Sequence, residues 1–160
     1  MTEVLASLQA TGFATWLRES ESIWALATVL TVHTIGMAIL AGSAFAFDLR
    51  VLGMARSIPL APLRTLFRVM WTGFWINAAT GVALFATDAS RMGTSGTFLA
   101  KMTFVAIGVV TMVLLRRHVY DRNPAAGQVS STARLVAVVS ILAWTAAISA
   151  GRLLGYLDKF

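Results

Sequence analysis

Four stretches of the chain are apolar on every side, and the polar residues gather between them. A transmembrane helix needs about 20 mostly apolar residues, each rising about 1.5 Å. The segments at about 23–47, 66–86, 98–115 and 135–156 meet that requirement. The first holds no Asp, Glu, Lys or Arg before Asp48, and the second is uncharged between Arg68 and Asp88. The third is uncharged between Lys101 and Arg116, the fourth from Leu135 to Gly151. A helix at the surface of a soluble protein keeps a polar stripe, and these keep none. The pattern predicts an all-α fold, an integral membrane four-helix bundle running up-down-up-down.

The breaks carry their own chemistry. Pro59 and Pro62 are expected to end the first span and open the second, because proline suits a first helical turn. Gly93-Thr94-Ser95-Gly96 reads as a short turn. Asn123-Pro124-Ala125-Ala126-Gly127 leads into Ser130-Ser131-Thr132, a cluster suited to capping the fourth span. There is no internal repeat and no second domain. Residues 1–21 form an N-terminal segment ahead of a four-helix domain at 22–160. The segment carries Glu3, Arg18, Glu19 and Glu21 and lacks a basic start, so it does not read as a cleavable signal peptide. Leu5, Leu8, Phe13, Trp16 and Leu17 fit one apolar face of a short interfacial helix. Trp16, Trp24, Tyr156 and Phe160 suit an aromatic belt at that side.

Composition supports the same picture. Of 160 residues, 58% are hydrophobic and 12% charged, against about a quarter charged in soluble domains. The mean hydropathy is +0.76. The net charge of +6 is distributed unevenly. Arg50, Arg56, Arg64 and Arg68 lie in one connection, and Arg116, Arg117, Arg122 and Arg134 in another, against Asp48 and Asp121. On the opposite side Arg18, Arg91, Lys101, Arg152 and Lys159 are balanced by Glu3, Glu19, Glu21, Asp88 and Asp158. Basic residues mark the cytoplasmic side, so both termini are expected to be periplasmic. The excess charge is then a topology signal and calls for no nucleic-acid partner. Expected partners are the lipid bilayer and other membrane or periplasmic subunits, or a second copy of the chain. Cys is absent, which removes disulfides, thiolate metal sites and thiol catalysis.

Polar groups inside a membrane are costly and mark candidate sites. His33 lies about 15 Å below the outer end of the first span. Counting to the same depth in the other spans reaches Asn77, Gly108 and Trp144, so one central layer of these four is expected to bind a cofactor. His33 has three readings: an imidazole bonded to Asn77 or to Thr28, Thr31 or Thr34 that pins the bundle, a ligand for haem or a metal, or a proton or quinone partner. His118 falls about 15 Å deeper, too far to share one iron with His33; Met37 and Met112 are other candidate ligands. Asp48, Lys101, His118 and Arg152 are the remaining polar residues of the spans and their interfaces. Lys101–Asp88 and Arg152–Glu21 are candidate ion pairs. Gly73-Asn77-Gly81 and Ala147-Gly151-Gly155 recur every four residues and suit close helix packing. No Ser-His-Asp arrangement, glycine-rich phosphate loop or pair of intramembrane carboxylates occurs, which excludes hydrolase and nucleotide-dependent readings. No catalytic activity of the chain's own is expected.

The run His33 … Gly36 … Gly42-Ser43 … Asp48-Leu49-Arg50-Val51-Leu52-Gly53 resembles an uncharacterised family of small four-span bacterial inner-membrane proteins. Trp71-Thr72-Gly73-Phe74, Thr80-Gly81, Leu84-Phe85, Phe98, Lys101, His118 and Gly151-Arg152-Leu153-Leu154-Gly155-Tyr156 extend the likeness. That family looks distantly like the copper-resistance D membrane domain. The resemblance implies a bacterial inner membrane and a connection with redox or metal handling, although the chain lacks a Met- or His-rich copper relay. The expected function is a non-enzymatic membrane subunit of a larger or homo-oligomeric assembly, holding haem b or a quinone near His33 for electron transfer. A metal-ion or small-solute transporter and a structural anchor for a periplasmic partner are the alternatives.

Overall fold

The computed structural model describes residues 2–121 and 129–157. Two short helices come first, α1 (Thr2–Gln9) and α2 (Gly12–Glu19). They are followed by α3 (Ile23–Val51), α4 (Leu66–Thr87), the single turn α5 (Ala89–Met92), α6 (Gly96–Arg116) and α7 (Ser131–Leu157). A 3-10 turn at Ala61–Thr65 leads into α4, and a π turn at Arg117–Asp121 extends α6. Among the described residues there is no strand. Among the described residues four helical stretches, Ile23–Val51, Ala61–Thr87, Gly96–Tyr120 and Ser131–Tyr156, are long and apolar enough to cross a membrane. Each runs past its predicted bounds at one end or both, because a helix continues into the interface where Arg and Lys stems can reach water.

The chain punctuates its helices with local hydrogen bonds. Ser22 Oγ accepts from the Trp24 N–H, Ser95 Oγ from Phe98 and Ser130 Oγ from Ala133, each filling an orphan donor of a first turn. The first span does not wait for Pro59 to stop. Gly53 adopts φ +103°, and its N–H bonds to the Arg50 carbonyl while the Met54 N–H bonds to Leu49. This paired closure at a left-handed glycine ends α3 at Val51. Pro62 opens the 3-10 turn instead. Arg50 then donates from Nε to the Ile58 carbonyl at 2.6 Å, and Arg56 donates to Gly53 at 3.1 Å. The expected connection at 123–127 lies outside the described residues, as does Phe160.

The spans pack as two antiparallel pairs, α3 with α4 and α6 with α7, joined along α3 and α7. Helices in lipid gain little from hydrophobic burial against each other, so close contact depends on small residues. A methyl at Gly73 would lie 2.7 Å from the Leu40 backbone nitrogen and 2.9 Å from the Gly36 carbonyl oxygen. The backbones of α3 and α4 therefore touch. In the second pair, a methyl at Gly108 would lie 2.6 Å from the Trp144 ring. The buried core, including Leu40, Phe47, Phe67, Met112, Leu115, Ala137 and Trp144, sits toward the Pro59 end. Toward the Trp24 end, α2 packs on α4 and α1 on α5. Ala14 and Leu17 are buried there while Phe13 and Trp16 stay exposed, and the N-terminal segment breaks at Ala10 and Thr11 into two short helices rather than one.

Replacing Gly73 by Ala should lower the reversible unfolding free energy in detergent by about 1–3 kcal/mol, because rigid backbone blocks the added methyl. Gly42→Ala meets nothing within 4 Å and should leave stability unchanged or slightly raised, since alanine is the better helix former. Equal behaviour of the two variants would contradict the backbone contact.

Candidate functional site

His33 and Asn77 meet across the α3–α4 seam. Asn77 Nδ2 donates to the His33 backbone carbonyl at 2.8 Å, cross-linking the two helices. The same nitrogen lies 3.4 Å from each ring nitrogen of His33, at the long edge of hydrogen bonding. The shorter ring contact is with Thr80, whose Oγ1 sits 3.0 Å from His33 Nδ1. The Thr80 hydroxyl donates its single proton to the Ile76 carbonyl at 2.7 Å. With that proton on Ile76, Thr80 Oγ1 is an acceptor for the ring, which assigns the His33 proton to Nδ1. Nε2 is then the unprotonated nitrogen, with only the long Asn77 contact beside it. The ring needs the space at Gly81, where a methyl would lie 3.2 Å from His33 Cε1. His33 is half-buried.

Lys101 reaches this neighbourhood from α6. Its stem lies over Gly151, 3.6–3.8 Å from where a side chain would start, and its charge acts on His33. The ammonium makes no ion pair or hydrogen bond among the described residues. Asp88, its expected partner, is held by Arg91 at 2.5 Å, three residues along the chain and far better placed than a group on another helix. Arg152 is exposed and makes no ion pair with Glu21. His118 bonds from Nδ1 to the Leu114 carbonyl at 2.8 Å, in the π turn at the Pro59 end.

Gly108 and Trp144 form a second, separate pair. The expected single layer of His33, Asn77, Gly108 and Trp144 is divided between two depths. Asp48 is 1% exposed, and its side chain bonds to Ser140, which fixes the level of α3 against α7. From that level, Trp144 lies about 6 Å toward the Trp24 end and His33 about 22 Å, a separation of roughly 16 Å. Two buried polar atoms have no hydrogen-bond partner among the described residues, Asp48 Oδ2 and Trp144 Nε1. Thr80 entered the sequence reading only within the likeness, not as a partner of His33, and Ser140 not at all. Their signal was present, since Thr80 follows Asn77 by three positions and Ser140 precedes Trp144 by four. Each thus shares a helix face with a residue already chosen.

No group of three or more His, Cys, Asp or Glu gathers among the described residues, so the protein alone does not assemble a multi-ligand metal centre there.

A family model described as a family of unknown function (DUF6644) matches residues 11–157, and the chain belongs to that family. No curated protein and no solved structure matches it.

Nitrogen-15 NMR of His33 in micelles should report a protonated Nδ1. Thr80→Val removes the acceptor and should change the ring signals, while Thr80→Ser should preserve them. An Nε2-protonated ring with a bare Nδ1 in the wild-type chain would refute this arrangement.

Proposed function

We propose that this member of a family of unknown function is a non-enzymatic membrane subunit that holds haem b at His33 for electron transfer within a larger or homo-oligomeric assembly. One observation carries the reading: Thr80 Oγ1 lies 3.0 Å from His33 Nδ1 while its own proton goes to Ile76, which assigns the ring proton to Nδ1 and makes Nε2 the nitrogen for a ligand. Histidines that bind iron use one ring nitrogen and usually anchor the other by donating to a neighbouring oxygen. Haem supplies four nitrogens itself, so a single protein ligand suffices where no cluster of ligating residues is assembled. Bound there, haem would supply one-electron chemistry. Lys101 offers an unpaired positive charge in the same region, which suits the carboxylates of haem. Met112 lies near the Asp48 level, roughly 22 Å from His33 along the axis, so a second subunit is the candidate source of any further iron ligand.

A quinone is the second reading, favoured by the same unpaired Lys101, whose ammonium is a donor that a quinone carbonyl can accept from. Transport of a metal ion or small solute draws less support. The His33 group and the Asp48–Ser140 pair lie roughly 22 Å apart along α3, and Leu40, Ala44 and Phe47 between them are buried apolar core. The reading as an anchor for a periplasmic partner draws on α1 and α2, which already pack on α4 and α5 of their own chain. For location we propose a bacterial inner membrane with both termini periplasmic, on the strength of the arginine-rich connections at the Pro59 end. A distant relation to the copper-resistance D membrane domain is part of the same proposal and would point to redox chemistry.

Protein purified from haem-replete cells should show a Soret absorption band. His33→Ala should abolish it and His118→Ala should retain it. Thr80→Val should retain haem with an altered midpoint potential. A colourless, iron-free wild-type preparation that still carries its co-purifying partners would defeat the haem reading.

A further inference from the structure

The two helix pairs leave an opening. α4 and α6 scarcely touch; near the Trp24 end Phe85 stacks on Phe98 at 5.2 Å and closes the gap. Toward the Pro59 end the gap widens into a cavity of about 240 Å³ lined by Phe67, Trp71, Met112, Val113, Arg116 and Arg117. Phe67 and Met112 are buried, Trp71 and Val113 half-buried, and both arginines exposed. The cleft thus has apolar walls and a doubly cationic mouth.

An empty apolar cleft facing lipid forfeits dispersion contacts along its whole lining. Hydrocarbon is the natural filling, and the volume is below that of a pocket for a drug-sized molecule, which suits part of one acyl chain. The mouth selects further. Neither Arg116 nor Arg117 has a hydrogen-bond or ion-pair partner among the described residues. Asp48, the carboxylate on α3 at this end, is 1% exposed and turned toward Ser140, so it does not neutralise them. Both arginines sit at the end of a membrane-crossing stretch, the level at which lipid phosphates lie. Planar guanidinium groups bind phosphate oxygens in pairs, and basic pockets between spans are where anionic headgroups are held.

We propose that the cleft between α4 and α6 is a binding site for one acidic phospholipid, its phosphate held by Arg116 and Arg117 and one acyl chain seated along Phe67, Trp71, Met112 and Val113. The lipid completes a bundle that the protein alone leaves open on this side. The site is separate from His33 and does not depend on the haem reading.

Native mass spectrometry of the full chain with added lipid tests this. The wild-type protein should retain one phosphatidylglycerol in preference to phosphatidylcholine, and inorganic phosphate should not displace it. The double variant Arg116→Gln, Arg117→Gln should lose that preference by about thirtyfold in affinity, at about fivefold per surface arginine. Val113→Trp, which fills the cleft and keeps both charges, should weaken retention as well. Equal retention of the two lipids by the wild type, an unchanged preference in the double variant, or displacement by phosphate would each overturn the proposal. Full retention by Val113→Trp would overturn the seat for the acyl chain.

Discussion

The contact between the α3 and α4 backbones at Gly36 and Gly73 governs the rest of this molecule. Lipid gives two apolar helices no solvent-driven reason to associate, so they adhere only where atoms approach closely over a long seam. Glycine at both positions permits that approach. Once the backbones touch, Asn77 is close enough for its amide to reach the carbonyl of His33 on the other helix. A residue with any side chain at Gly73 would push the helices apart and break this cross-link. The polar group and the packing seam are therefore one structure: the glycines set the distance and the amide fixes the register.

The second pair solves the same problem differently. Gly108 receives the flat face of Trp144, a glycine-to-ring contact in place of backbone against backbone. It buries the largest side chain of the core and leaves the indole Nε1 without a partner. Asp48 shares that condition one helical turn away, with a single hydroxyl neighbour and a free oxygen. Unsatisfied buried polar atoms cost about 1–3 kcal/mol each. This half of the bundle thus carries a polar strain at Asp48 and Trp144.

Charge and shape agree at the Pro59 end. Some of the arginines there act on the protein itself: Arg50 and Arg56 tie down loop carbonyls, and Arg64 lies 5.9 Å from the Tyr120 ring. Arg116 and Arg117 face outward without such work. A topological bias toward positive charge leaves some residues free to meet lipid, and the open side of the bundle is where two of them stand.

Much of this was legible along the chain. Uninterrupted apolar runs fixed the four spans, because no water is present in the bilayer to satisfy an unfolded backbone. The Ser130-Ser131-Thr132 cluster marked a helix start, and the spacing of Gly73, Asn77 and Gly81 named a packing face of α4. Spacing within a helix determines which residues share a face and how far apart they lie along the axis. It does not determine how far one helix slides along another. The predicted common layer of His33, Asn77, Gly108 and Trp144 assumed equal depth from the outer ends. The real register is set by where glycine meets backbone in one pair, where glycine meets tryptophan in the other, and where Asp48 meets Ser140 between them. Those contacts separate His33 from Trp144, join His33 to Thr80 and open the cleft beside α6; they come from the fit of three-dimensional surfaces, which tertiary structure alone decides.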